Sequence, residues 1–175
     1  LRTIWISDTH NTDISSLILP GDILIHAGDL THSGTPREFQ DTFDWLVSIL
    51  REHKIVIVGN HDTYLQTDEG HLLVHSWREH GIIYLEDEVR GCALEIFGSP
   101  FTPQHGNGAF QYTRTDTTDS TSRWSIILDD TDILITHGPP YDHLDLSGLG
   151  CKALVTTSRN RTVSDIYSLG CIMYR

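Results

Sequence analysis

The chain has 175 residues, 38% of them hydrophobic, and carries 24 acidic and 12 basic side chains for a formal net charge of −12. This length suits one domain with a sizeable core. No apolar run approaches the roughly 18 residues needed to cross a bilayer. The acidic balance argues against a nucleic-acid duplex or an anionic membrane as partner, because like charges repel within a Debye length.

The cysteines bear on the compartment. Cys92, Cys151 and Cys171 are odd in number and have no C-x-x-C spacing. This pattern favours free thiols in a reducing environment over a disulfide framework. We therefore expect a cytoplasmic location, although the first residue is Leu1 and not Met.

Six short apolar, β-branched runs predict strands, at residues 3–7, 22–27, 55–58, 81–85, 93–97 and 132–136. Continuous apolar runs of this length are typical of strands that are buried on both faces. Helical spacing of Phe39, Phe43 and Leu46 predicts a helix over residues 36–53, and a shorter helix is predicted over 72–80. Residues 98–123 are rich in Gly, Pro, Thr and Asp and predict a long, functional loop. Strands that alternate with helices indicate an α/β layered fold.

Polar residues follow four of the predicted strands. They read Asp8-Thr9-His10, Gly28-Asp29, Gly59-Asn60-His61-Asp62 and His137-Gly138. The carboxyl ends of strands in an open α/β sheet meet at one edge, where ligands bind. Residues distant in sequence are therefore expected to converge there, and glycine lets the backbone turn sharply beside them.

Carboxylate, amide oxygen and imidazole together suit a divalent transition metal. Each piece alone has an ordinary explanation as a helix cap, a turn or a hydrogen-bonded histidine. Their combination, always at strand ends, indicates a shared metal site. One Asp has two oxygens and can bridge two ions, and such a pair polarises a phosphoryl oxygen and generates hydroxide near neutral pH.

These motifs resemble the calcineurin-like metallophosphoesterase family and, within it, the metallophosphoesterase-domain-containing subgroup. The family pattern is D-x-H, G-D, G-N-H, a lone His and a closing G-H-x-H, and the chain has D-T-H, G-D-L, G-N-H-D and T-H-G-P-P. The resemblance implies a four-layer α/β/β/α sandwich of two mixed sheets flanked by helices. It also implies hydrolysis of phosphate esters by a metal-bound hydroxide, with phosphodiesters, cyclic nucleotides among them, as substrates.

The resemblance also assigns site residues. It implies that Asp8 and His10 hold the first metal, that Asp29 bridges both, and that Asn60 and His137 hold the second. His61 is expected to be catalytic, beside the substrate. The cofactors would be two divalent ions chosen from manganese, iron, zinc and magnesium.

The chain departs from the family after His137. The closing G-H-x-H is absent, and the only later histidine is His143. We therefore divide the chain into a phosphoesterase domain, 1–155, and a divergent C-terminal tail, 156–175, and expect an incomplete second sheet and weakened hydrolysis. A truncated gene model, a retained intron and an alternative splice form would each account for this departure.

Two other functions stay open. The missing motif favours a catalytically inactive binding or interaction domain that keeps the shape of the enzyme. An unrelated metal-dependent hydrolase, such as an amidohydrolase, would usually begin with H-x-H where this chain has D-x-H. We expect a small phosphate ester as partner, and neither a nucleic-acid duplex nor a membrane, while the oligomeric state stays open. His26 either orients a ligand from behind or is a buried, hydrogen-bonded histidine.

Overall fold

The computed structural model describes residues 1–91, 94–115, 117–143, 145, 148–160 and 165–168. A first sheet contains four parallel strands in the order β1-β2-β3-β4, namely β1 (Thr3–Ile6), β2 (Ile23–Ala27), β3 (His53–Ile57) and β4 (Ile82–Tyr84). Ala27 is level with Ile57, so the residues that follow β2 and β3 emerge at the same edge.

A second sheet has the order β10-β9-β6-β5 and contains β5 (Glu88–Gly91), β6 (Glu95–Ser99), β9 (Ile133–Thr136) and β10 (Asp165–Ser168). Its pairs are parallel except for β5, which is antiparallel to β6. Between β6 and β9 lies a short parallel pair, β7 (Thr102–Pro103) and β8 (Gln111–Tyr112).

Four helices accompany the sheets: α1 (Pro36–Ser48), α2 (Asp68–Glu79), α3 (Thr117–Ser125) and α4 (Lys152–Asn160). Helix α1 begins with a capping box, in which the Thr35 side chain accepts from the Glu38 amide and the Glu38 carboxylate accepts from the Thr35 amide. It ends where the ammonium of Lys54 donates to the carbonyl oxygens of Leu46 and Ile49, at 3.1 and 3.2 Å.

The buried side chains form three clusters that define four layers. Ile25 and Ile55 of the first sheet pack against Ile96 and Ile135 of the second. On the outer face of the first sheet, a cluster joins strand residues to helix residues of α1 and α2, namely Leu24, Val56, Phe39, Leu46, Val74 and Trp77. On the outer face of the second sheet, a third cluster contains Phe97, Leu134, Trp124 and Leu154. The predicted α/β/β/α sandwich is confirmed, with a first sheet whose described strands are all parallel and a second that is mixed.

Three predicted elements need correction. The helix predicted over 36–53 ends at Ser48, because Ile49 is extended and the chain has to turn before β3 begins at His53. The second helix begins at Asp68 and not at residue 72, since the Thr67 hydroxyl caps it by accepting from the Gly70 amide at 3.1 Å. Residues 98–123 are not one long loop, because they contain β7, β8 and most of α3.

The boundary at residue 155 stays a prediction, as does the incompleteness of the second sheet. Helix α4 runs across that boundary, and β10 pairs in parallel with β9. Among the described residues, no helix combines the length and the apolar character that crossing a bilayer requires.

Candidate metal centre

The predicted site residues follow the strands that meet at one edge of the two sheets. Asp8 follows β1, Asp29 follows β2, Asn60 follows β3 and His137 follows β9. The first two loops are bonded directly, since the Asp8 amide donates to the Gly28 carbonyl at 2.9 Å and the His10 amide donates to the Asp29 carbonyl at 3.1 Å. The sheet edge therefore brings together residues that lie 129 positions apart at the extreme, from Asp8 to His137.

The backbone of these loops is left-handed at several residues other than glycine. Asp8, His10, Asn11 and Asp29 have φ values of 52°, 45°, 61° and 52°. Asp, Asn and His enter this region more readily than other residues, yet such conformations cost energy and cluster at functional sites. Gly28, with φ at 102°, is required here, because a Cβ would collide with the His137 ring and lie 2.8 Å from the Val58 carbonyl oxygen.

Three histidines at this edge are held in the same way. The Nδ1 atom of His10 lies 3.0 Å from the Thr31 carbonyl oxygen, that of His61 lies 2.7 Å from the His32 oxygen, and that of His137 lies 3.0 Å from the Ala27 oxygen. A carbonyl oxygen only accepts, so each Nδ1 carries the proton and donates it. In the neutral ring, each Nε2 then presents a bare lone pair, as in metal-binding histidines.

The three bare Nε2 atoms face the carboxylate of Asp29. Those of His10 and His61 lie 4.0 and 3.9 Å from Oδ2 of Asp29, and that of His137 lies 3.4 Å from Oδ1. Nε2 of His137 is also 3.1 Å from Oδ1 of Asn60. Two atoms that bind one ion at about 2.1 Å are separated by about 3.0–3.4 Å. Nε2 of His137 therefore already lies at the spacing of a shared ligand from both Asp29 and Asn60.

The same arrangement is unfavourable without a cation. Lone pairs face lone pairs, and Oδ2 of Asp29 is buried without a hydrogen-bond partner among the described residues. A buried, unpaired carboxylate oxygen is costly unless a positive charge compensates it. The residues present therefore fit a bound divalent cation.

Asp8 belongs to the same electrostatic cluster, but it is not in its tightest group. The group of ligand atoms within 4.8 Å of one another contains His10, Asp29 and His61, as judged from the described part of the chain. Burial raises the pKa of Asp8, although the hydrogen bond from the Ser7 hydroxyl acts in the opposite direction. The roles of Asp8, His10, Asp29, Asn60 and His137 as ligands, and of His61 in catalysis, stay predictions.

Asp62 holds the loops of the site in place through hydrogen bonds, a role that the sequence did not predict. Its carboxylate accepts from the amides of Gly59, Leu30 and Thr31 at 2.8, 3.2 and 2.9 Å, and from the Thr31 hydroxyl at 2.7 Å. Burial raises the pKa of Asp62 to about 6, and the hydrogen bonds from Gly59 and Thr31 act in the opposite direction. Asp62 therefore fixes the G-D and G-N-H loops relative to each other. Its place directly after G-N-H was the only available signal.

His26 lies beneath the D-T-H loop. It is fully buried, its Nε2 lies 2.9 Å from Oγ1 of Thr9, and its Nδ1 accepts from the Gly28 amide at 3.3 Å. Burial lowers the pKa of His26 to about 3. The ring is therefore buried and hydrogen-bonded, as the second alternative from the sequence states, and it holds Thr9 between Asp8 and His10. That it orients a metal ligand stays a prediction.

The segment predicted to be a functional loop forms a wall next to Asn60. The Ala109 amide donates to the Asn60 carbonyl oxygen at 2.9 Å. Gly108 approaches so closely that a Cβ would lie 2.8 Å from the Asn60 Cβ. This segment therefore holds the G-N-H loop in place.

Comparison with known proteins gives the class of the chain. A protein-family model described as calcineurin-like phosphoesterase matches residues 1–162. A solved structure with 14% sequence identity superposes with a TM-score of 0.64, covering 90% of this chain and 79% of that one, which supports the fold alone. With the strand-end cluster, these findings define an α/β fold of the metallophosphoesterase type.

The chain belongs to the calcineurin-like phosphoesterase family. It is 32% identical over 197 residues to the human "Metallophosphoesterase domain-containing protein 1", covering 98% of this chain and 60% of that protein. It is 30% identical over 177 residues to a UPF0046 protein of Caenorhabditis elegans, covering 90% and 58%. It is also 49% identical over 166 residues to the "Probable rhamnogalacturonate lyase C" of Emericella nidulans, covering 88% of this chain and 15% of that protein. The chain therefore spans from 15% to 60% of the length of these relatives.

Proposed function

We propose that the chain hydrolyses phosphate esters at a centre of two divalent metal ions, with phosphodiesters, including cyclic nucleotides, as the substrate class. The first ion would be held by Asp8, His10 and Asp29, and the second by Asp29, Asn60 and His137. The observation that carries this proposal is the set of bare Nε2 atoms facing the two oxygens of the buried Asp29 carboxylate. Membership of the calcineurin-like phosphoesterase family supports phosphoester hydrolysis as the reaction class.

The residues divide the work by position. When bound, the ions would polarise the phosphoryl oxygen and make water a better nucleophile near neutral pH. Asp29 offers Oδ1 to the side of His137 and Oδ2 to the side of His10, as a bridging ligand must. The side chain of His61 is 41% exposed and anchored through Nδ1 to the His32 carbonyl. Once Nε2 also takes up a proton, the imidazolium would stabilise the charge that develops on the ester or protonate the leaving oxygen.

The surface charge agrees with a small substrate. The formal net charge of −12 disfavours binding of a nucleic-acid duplex. A small phosphate ester would be attracted by the positive charge of the bound metal ions. We also propose a cytoplasmic location for the chain.

The test is the release of p-nitrophenol from bis-p-nitrophenyl phosphate by the metal-stripped chain as manganese is added. We expect turnover that depends on metal concentration and is abolished by Asp29→Asn. His75→Gln, which changes an exposed histidine of α2, serves as the control and keeps full activity. No turnover at saturating manganese with Asp29 intact would contradict the proposal.

A second candidate is an inactive domain that binds metal or phosphate without turnover. In that case manganese would bind and raise the unfolding temperature, and the same assay would detect no p-nitrophenol at any manganese concentration.

A further inference from the structure

The two most exposed histidines of the centre, His10 and His61, converge on one atom. Their Nε2 atoms lie 4.0 and 3.9 Å from Oδ2 of Asp29, on side chains that are 32% and 41% exposed. Their rings meet edge to face with centroids 4.7 Å apart. The three potential ligand atoms lie within 4.8 Å of one another.

The orientation of His61 is fixed from two sides. Its backbone amide donates to Oδ1 of Asp29 at 3.0 Å, and its Nδ1 donates to the His32 carbonyl oxygen at 2.7 Å. The ring therefore points its bare Nε2 at the same carboxylate that its own backbone holds. Turning the ring away would break the hydrogen bond to His32.

Oδ2 of Asp29 is the atom that needs a partner. It makes no hydrogen bond within the part of the chain that the structure describes. Water cannot readily replace the missing partner, because the Asp29 side chain is only 1% exposed. Neither imidazole supplies a proton to it, because both rings carry theirs on Nδ1. A cation between the three atoms satisfies all of them at once.

We propose that His61 is a ligand of the first metal ion while no substrate is bound, completing a set with His10 and Oδ2 of Asp29. This inference rests on the proposed metal centre and changes the resting role of His61. Two imidazoles and one carboxylate are a common ligand set for zinc, manganese and iron(II). A shared ion needs separations of about 3.0–3.4 Å, so each Nε2 has to move toward Oδ2 by less than about 1 Å.

The proposal gives His61 two consecutive roles. In the resting state its Nε2 fills one coordination position, and an incoming phosphate oxygen takes that position. The freed imidazole then lies beside the bound ester, where the proposed function needs it. In this exchange the metal–nitrogen bond breaks, the proton stays on Nδ1, and the freed Nε2 takes up a proton from solvent, which it would later donate to the leaving oxygen.

The two ion positions should therefore differ in affinity. The ligands Asp29 and His137 are each 1% exposed and 3.4 Å apart, whereas His10 and His61 are partly exposed and more widely spaced. We expect a tight step at Asp29, Asn60 and His137. We expect a looser, exchangeable step at the first ion, whose ligands would be Asp8, His10, Asp29 and His61.

The test is calorimetric titration of manganese into the metal-stripped full chain. The unmodified chain is expected to show a tight and a loose step. His61→Gln should weaken the loose step about tenfold or more and leave the tight step unchanged, since outer supports alone change metal affinity by 10–100-fold. His61→Glu, which reaches about as far but offers an anionic oxygen, should restore most of the loose step. His75→Gln is the control and should leave both steps unchanged.

A second measurement needs no substitution in the site. Nitrogen-15 spectra of the unmodified chain, titrated with zinc, should show the His61 Nε2 resonance shift with the loose step and shift back when inorganic phosphate is added. A loose step that His61→Gln leaves unchanged, or an unmoved His61 resonance, overturns the inference and leaves the proposed function standing. The absence of both binding steps overturns the two together.

Discussion

Acid should weaken the fold through His26. In the folded chain the ring is fully buried, and this burial lowers its pKa to about 3. In the unfolded chain the ring has its ordinary pKa of about 6.5. Between about pH 3 and about pH 6.5 the ring is therefore protonated in the unfolded chain and neutral in the folded chain. The free energy of unfolding falls as the pH falls below about 6.5.

The size of the effect follows from the two pKa values. At pH 5 the unfolded ring is almost fully protonated and the folded ring is not, which corresponds to a loss of about 2 kcal/mol relative to pH 8. His26→Gln removes the titration. It also loses hydrogen-bonding geometry, so the variant should have a lower free energy of unfolding than the unmodified chain at pH 8. At pH 5 this difference in unfolding free energy should be smaller by about 2 kcal/mol.

The assay is urea unfolding followed by tryptophan fluorescence, at pH 8 and pH 5, with chelator present so that metal binding does not contribute. Unfolding free energies of His75→Gln provide the control, because this exposed histidine should give the same gap to the unmodified chain at both pH values. A gap between His26→Gln and the unmodified chain that does not change with pH would refute the reasoning.

Three further predictions concern a cap, a turn and the ions. Thr35→Ala removes the hydroxyl of the capping box and should cost about 1 kcal/mol in urea unfolding, and an unchanged midpoint would contradict the role of the cap. Gly28→Ala places a Cβ against His137 in a left-handed backbone, and should lower both the unfolding temperature and the manganese affinity; normal manganese binding would show that the loop relaxes freely. Manganese at a hundredfold excess over its dissociation constant should stabilise the chain by about 2.7 kcal/mol, and Asn60→Ala should reduce this gain in thermal unfolding. Equal gains with and without Asn60 would exclude it as a ligand.

Four of the predicted strands, β2, β3, β6 and β9, are buried at all or nearly all of their residues, and β1 is partly buried. Strands β2 and β3 lie between a sheet and a helix layer, so four of the five residues of β2 and three of the five residues of β3 are apolar. These apolar runs are what predicts the strands. Strand β5 has an exposed, charged sequence and lies at the edge of its sheet, which leaves no such run. Helix α3 reads T-T-D-S-T-S-R-W-S, which has weak helix propensity, and it is stabilised by tertiary packing of the buried Trp124.

The residues of the candidate site could be located from sequence, but their support could not. Strand ends predicted that Asp29, Asn60 and His137 would meet, because the topology brings those ends to one edge. The groups that orient the three imidazoles are backbone carbonyls of Ala27, Thr31 and His32, which leave no trace in residue type. The proximity of His61 to Oδ2 of Asp29 depends on loop conformation and was likewise beyond the sequence pattern.

Two buried carboxylates at the candidate site differ in their hydrogen bonds, and this difference supports the proposal of a cation beside one of them. Asp62 is 0% exposed and accepts four hydrogen bonds, from the amides of Gly59, Leu30 and Thr31 and from the Thr31 hydroxyl. Asp29 is 1% exposed, and its Oδ2 accepts none from the described residues. The two carboxylates are equally buried, so they differ only in the number of hydrogen-bond donors that the protein places beside them.

Substitution by asparagine should therefore have opposite effects at the two positions. In Asp62→Asn, the amide nitrogen faces N–H donors and accepts nothing, unlike either protonation state of a carboxyl group, so the metal-free chain should lose about 1–3 kcal/mol. In Asp29→Asn, the amide oxygen keeps the bond from the His61 amide, and the amide nitrogen turns toward the bare Nε2 atoms of His10 and His61. An unpaired buried charge disappears, so the metal-free chain should gain about 1–3 kcal/mol while manganese binding is lost. Urea unfolding in chelator measures both changes, and a loss of stability in Asp29→Asn would mean that its carboxylate is satisfied by the protein and is not reserved for a metal.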